Sequence, residues 1–234
     1  MNKLFSNIRF YVLVTSVLLS VVVYFLVSGF VPEKSLQIVY LTQSYALISL
    51  VYLYLALLAT PLTRLFLSFP FRGPYVKARR AIGVSACYFA LLHAYNGFFG
   101  ELGGFAALPF LNGRYLVAIT ISTIALIILL IMALTSFDAI IARLTFPKWK
   151  MLHRFVYLVG VFVLLHATMI GSHFATFSDI VPMVVYNATG LLLFLEAFRF
   201  DIYTQRRFLL GKGIGFGGFI LASIAFLTIL AFYL

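Results

Sequence analysis

The stretch Lys150–His173, KMLHRFVYLVGVFVLLHATMIGSH, holds three of the four histidines of the chain. Between Phe155 and Ile170 the only side chains that are not hydrocarbon, sulfur or aromatic are His166 and Thr168. A run this apolar, led by Lys150 and Arg154, reads as a membrane-crossing helix. A ligating group at membrane depth is costly to place there and so marks a functional site. His153 and His166 are thirteen residues apart, which on a helix is a rise of about 20 Å. In a hydrocarbon layer about 30 Å thick, one histidine would stand near each face. Such a helix can ligate cofactors at two depths.

The composition agrees with this reading. Hydrophobic residues make up 64% of the chain and charged residues 10%, which excludes the soluble globular classes. The apolar content falls into stretches long enough to span a bilayer, so the fold class is an all-α polytopic membrane helical bundle. The first run, Ile8–Phe30, is too long for a signal-peptide core and reads as a retained span. The single cysteine, Cys87, excludes an internal disulfide framework and reads as a small buried hydrophobe. A net charge of +11 could suggest nucleic acid. The basic residues instead cluster in alternate short loops, and membrane topology accounts for them without a nucleic-acid partner.

In order, the spans are expected at Ile8–Phe30, Ile38–Thr60, Ala81–Phe99, Tyr115–Phe137, Leu152–Gly171 and Ile180–Phe200, with a seventh at Ile214–Leu234. Pro61 is expected to end or kink the second. Three regions follow: 1–37, an N-terminal span and loop; 38–200, the histidine-bearing transmembrane core; and 201–234, a basic connection and a further C-terminal span. Of the seventeen Lys and Arg residues, only Lys34 and Arg114 fall on one side, leaving fifteen on the other. The basic side is the cytoplasm, which puts the N-terminus inside. No GxGxxG follows a strand, no HExxH occurs and no carboxylates pair within a span. Glu196, inside the sixth span, is expected to pair with Arg199.

His93 lies in the third span, and Ala86, Ala90, His93 and Gly97 share one helix face. Small residues beside a histidine serve either close helix packing or clearance for a flat macrocycle. His93 stands thirteen residues beyond Arg80, as His166 does beyond His153. The two therefore reach one depth on two outward-running helices, toward the outer leaflet. Two neutral imidazoles across a bundle core are an axial pair for a six-coordinate haem iron. His153 has no histidine partner at its depth, and Arg79 stands near that place on the third span. It reads either as an interfacial residue, as a ligand of an inner haem, or as a contact to an inner flavin. On an ideal helix it points about 140° away from His166, and a bend at Gly160 would realign them. His173 reads as a surface residue or as a hydrogen-bond partner of an outer haem propionate, and Arg114 is a second propionate candidate. Arg79, Arg80, Lys148, Lys150 and Arg154 are placed for inner propionates or a flavin phosphate.

RRAIGVSACYFALLHAY at 79–95, ALTS at 133–136, KWKMLHRFVYLVGVFVLLH at 148–166 and ATPLTR at 59–64 resemble the ferric-reductase-like transmembrane family, in particular its MsrQ (YedZ-type) branch. The resemblance covers about residues 45–200. It implies a six-helix core with one or two b-type haems, with His93 and His166 as the outer pair and His153 as an inner ligand. It also implies FMN, a cytoplasmic flavin reductase or quinol as donor, and a periplasmic methionine sulfoxide reductase as acceptor, in a bacterial inner membrane. Arg79 in place of a second histidine, and a seventh span, depart from the family's pattern. Two other functions fit the architecture: a ferric or cupric metalloreductase, and a cofactor-free scaffold or transporter. The latter would carry charges along a path through the span centres, which hold none.

Overall fold

The computed structural model describes residues 7–174 and 179–205, with the side chains of 200–205 set aside; the expected seventh span, Ile214–Leu234, lies outside the described residues. The elements are α1 (Ile8–Phe30), α2 (Lys34–Leu65), α3 (Arg72–Tyr95), α4 (Gly113–Leu134), α5 (Asp138–Leu144), α6 (Phe146–Leu152), α7 (Val156–Ile170) and α8 (Ile180–Gln205). Short turns join them: a π-helical turn at Asn96–Glu101, and 3-10 turns at Gly104–Phe110, His153–Phe155 and Ser172–Phe174. Among the described residues six helical stretches are long and apolar enough to cross a membrane. The protein is an all-α polytopic membrane protein.

The chain divides into two compact units, 7–57 with 73–171, and 58–72 with 172–174 and 179–205. In the first, α1 shows what bilayer burial does to a helix. Its outward residues are apolar, with Phe25 67% exposed, while the residues it buries are Ser16 and Ser20. In lipid, apolar side chains need no protein cover, whereas hydroxyls must find partners. Ser16 Oγ lies 2.8 Å from Ser85 Oγ and 3.0 Å from the Tyr52 hydroxyl, and Ser20 Oγ lies 2.7 Å from the Tyr88 hydroxyl. Phe89, fully buried, packs among Tyr45, Tyr52 and Tyr88. This hydroxyl-edged aromatic core seats α1 and α2 on α3. α4 pairs with α7, and Ala118 and Val159 are fully buried.

Several expected boundaries move. Of the two outcomes expected at Pro61, an end or a kink, the end is not found: α2 runs on to Leu65 with Pro61 inside it. Beyond the proline the Thr63 hydroxyl donates to the Ala59 carbonyl at 2.6 Å, helping to satisfy the last turn. Nine residues before the expected start, α3 begins at Arg72, because a helix leaving the hydrocarbon continues into the polar interface. Asn112 caps α4, its side chain accepting from the Tyr115 N–H at 3.1 Å. The expected loop between the fourth and fifth spans is two short helices hinged at Thr145, whose φ is 65°. The irregularity expected at Gly160 falls instead at the 3-10 turn His153–Phe155, and α7 runs unbroken through Gly160. In the second unit, Glu196 and Arg199 pair within α8, with Arg199 Nε donating to the carboxylate at 2.7 Å.

Candidate functional site

His93 stands two residues before the end of α3, and His166 four before the end of α7. The structure brings them together: the ring centres are 6.1 Å apart and the ring planes are turned 81° from one another. Both rings are half-buried. Imidazole nitrogen binds first-row metals at about 2 Å and stands about 1 Å from its ring centre, so two rings trans across one metal have centres about 6 Å apart. The spacing of the pair matches that distance.

Each ring is held by a backbone carbonyl. His93 Nδ1 donates to the Thr42 carbonyl on α2 at 3.0 Å, and His166 Nδ1 donates to the Ala118 carbonyl on α4 at 3.1 Å. A carbonyl only accepts, so both Nδ1 atoms carry the proton and both Nε2 atoms keep a lone pair. Second-atom bonds of this kind orient metal-ligating histidines and strengthen them as donors. Ala118 is fully buried where its carbonyl meets the ring.

Two imidazoles supply two ligands. Among the described residues no group of three or more His, Cys, Asp or Glu is placed to hold a metal ion by itself. A metal held between the two rings would take its remaining donors from a group that brings its own, as a haem macrocycle does. The residues fit such a group.

The third histidine is built differently. The His153 ring lies on Trp149, with centres 4.1 Å apart, and its Nε2 makes a long 3.4 Å contact with the Thr135 hydroxyl. That hydroxyl gives its proton to the Ile131 carbonyl at 2.7 Å, so it accepts from the ring. Trp149 Nε1 donates to the Thr135 carbonyl at 3.0 Å, and Phe146 stacks on the indole. The ALTS corner at the end of α4 is thus the anchor for α6 and His153. Beside it runs a cleft of about 360 Å³ lined by Arg80, Asp138, Ile141, Ala142, Phe146 and Trp149.

The basic residues are mostly committed. Arg79 Nε donates to the Ala56 carbonyl at 3.2 Å. Arg80 donates to Asp138 at 2.6 Å and to the Ser136 carbonyl at 3.3 Å, and Arg9 reaches the same carboxylate at 3.2 Å. Asp138, which the sequence reading did not single out, therefore joins α1, α3 and the α4–α5 corner. The hydrogen bond and charge of Arg80, with Arg9 behind them, hold its carboxyl below the usual carboxylate range. Arg114 donates to the Thr168 carbonyl at 3.3 Å, capping the end of α7. Arg154 is exposed, and His173 is half-buried in the 3-10 turn Ser172–Phe174 of the second unit.

The family model described as ferric reductase like transmembrane component matches residues 42–165, more than half of the 234-residue chain. Over 114 residues the chain is 37% identical to the protein-methionine-sulfoxide reductase heme-binding subunit MsrQ of Cronobacter sakazakii, a match covering 47% of this chain and 53% of that protein. The chain thus spans about half the length of the curated relative it matches. The matched region contains His93 and His153 and ends one residue before His166, and the chain belongs to the ferric-reductase-like transmembrane family.

Proposed function

We propose that the chain is a membrane electron-transfer protein that holds b-type haem between α3 and α7. Its donor is a cytoplasmic flavin or quinol, and its acceptor is a periplasmic methionine sulfoxide reductase catalytic subunit. The observation that carries the reading is the His93–His166 pair, spaced 6.1 Å between ring centres with each Nδ1 tied to a carbonyl. Bound there, haem supplies reversible one-electron transfer. His93 and His166 would supply two neutral nitrogen ligands whose orientation the Thr42 and Ala118 carbonyls fix. Their packing within the apolar α3, α4 and α7 limits access of water to the ligating nitrogens.

The name of the Cronobacter relative supports the choice of haem and of acceptor. The excess of Lys and Arg, fifteen of seventeen on one side, supports an N-terminus in the cytoplasm of a bacterial inner membrane. The basic end carrying Arg80, Trp149 and His153 is then the donor side, where FMN or a donor protein would meet the chain.

The test is a pyridine haemochrome assay with protein quantitation on the purified chain, expected to give b-type haem at one per chain. A spectrum without a Soret band after expression with ample haem would overturn the reading. Reoxidation of the reduced protein by ferric or cupric ions as fast as by a sulfoxide reductase subunit would replace the acceptor with metal ions.

A further inference from the structure

The carbonyl that fixes His93 belongs to α2, so the tautomer of the ligand depends on where α2 lies. The segment that meets α2 there is the π-helical turn directly after His93. In that turn the Leu102 N–H donates to the Gly97 carbonyl five residues back, at 3.0 Å. Such turns recur at functional sites because they re-aim one stretch of a helix.

Two glycines of the turn lie against the same stretch of α2. A Cβ added to Gly97 would stand 3.3 Å from Thr42 Cγ2, and one added to Gly100 would stand 2.6 Å from Ile38 Cγ2. Real Cβ atoms do not come as close as the second, so the approach exists only because position 100 has no side chain. Ile38 and Thr42 are one turn apart on the same face of α2. They are tied by the Thr42 hydroxyl, which donates to the Ile38 carbonyl at 2.8 Å. Going outward along α3, the residues His93, Gly97 and Gly100 therefore meet α2 from Thr42 back to Ile38. Gly83, lower on the same helix, has nothing within 4 Å of the place its Cβ would take.

We propose that Gly97 and Gly100 form a seat for the Ile38–Thr42 turn of α2, and that this seat sets the ligating tautomer of His93 through the Thr42 carbonyl. The two glycines are positioning residues, acting through α2 on the ring. The consequence for haem rests on the function proposed above, whereas the effect on the ring itself does not. A methyl at position 100 pushes Ile38 and its turn outward, lengthening the Nδ1–H···O=C bond. The ring then samples both tautomers, and Nε2 becomes a weaker and less constant donor.

The experiment labels the protein with 15N-histidine and reads the His93 ring nitrogens by NMR in protein purified free of haem, with haem affinity and midpoint potential measured on the haem-loaded protein of the same variants. Wild type is expected to show a protonated Nδ1 and a bare Nε2. Gly100→Ala should give mixed tautomers, haem held about tenfold more weakly, and a midpoint potential shifted upward because the oxidised metal loses a strong donor. Gly100→Ala combined with Ile38→Ala removes the clash and should restore all three, and Gly83→Ala should change none. Should Gly100→Ala not fold, Gly97→Ala, with its milder contact, should give the same changes at smaller size. Wild-type ring shifts in the foldable glycine variant, or failure of Ile38→Ala to restore them, would overturn the proposal. Absence of haem from wild type would instead overturn the function, and the ring-nitrogen result would still decide the seat.

Discussion

At the scale of single residues, the three span histidines divide by which nitrogen they leave bare. His93 and His166 give Nδ1 to carbonyls and keep Nε2 free, whereas His153 turns Nε2 to the Thr135 hydroxyl. His93→Ala or His166→Ala should each abolish six-coordinate low-spin haem, since one imidazole cannot fill both axial positions. An optical and EPR comparison checks it, and a full low-spin complement in either variant would break the pairing. His153→Ala should leave haem content and spectrum unchanged and slow reduction from the cytoplasmic side, as measured by stopped flow. Loss of about half the haem would instead place a second haem at His153, with a sixth ligand other than histidine. The histidines were legible from the sequence because imidazole is conspicuous among hydrocarbon. The carbonyls of Thr42 and Ala118 were not, because every residue has a carbonyl and only the packing of α2 and α4 selects these two.

At the scale of elements, hydropathy reads how much of a helix lies in hydrocarbon, and helix length only where the two coincide. They coincide in α1, found at Ile8–Phe30 as expected, because polar Asn7 and the Val31–Pro32 turn bound it closely. They part in α3, whose first nine residues carry Arg72, Lys77, Arg79 and Arg80 outside the apolar run. The helices α5 and α6 are each seven residues long and were read as loop, being too short and too mixed to give a span signal. What holds α5 is Asp138 in its first turn, shared by Arg9 and Arg80, and what holds α6 is Trp149 on the Thr135 carbonyl. Because the Asp138 carboxyl titrates lower in the folded chain than in the unfolded one, it stabilises above the ordinary carboxylate pKa of about 4 and loses that contribution as pH falls through the lowered value. Asp138→Asn should therefore lower the melting temperature at pH 7, with the difference from wild type shrinking as the medium is acidified toward and below that value. A difference that stays constant with pH would show that the amide fails for reasons of shape and not of charge.

At the scale of the whole molecule, the arrangement of charge decides which way the proposed electron path would run. Contacts of Arg9 with the Lys77 carbonyl and with Asp138 put the start of α1, the start of α3 and the end of α4 at one basic end. Lys148, Lys150 and Arg154 follow in α6 and the turn after it. His93 and His166 stand near the far ends of α3 and α7, where the Arg114–Thr168 contact closes α7. With the basic end in the cytoplasm, the histidine pair lies toward the periplasm, so an electron from an inner donor crosses most of the bilayer before leaving. Cys87, the one cysteine of the chain, is 3% exposed and leaves the background silent to a membrane-impermeant maleimide. In intact cells Phe110→Cys, at a position 86% exposed in the turn before α4, should label from outside. Lys150→Cys, exposed in α6, should label only after the membrane is permeabilised. Labelling of Lys150→Cys in intact cells would invert the chain, set the histidine pair near the cytoplasm, and exchange the sides assigned to donor and acceptor.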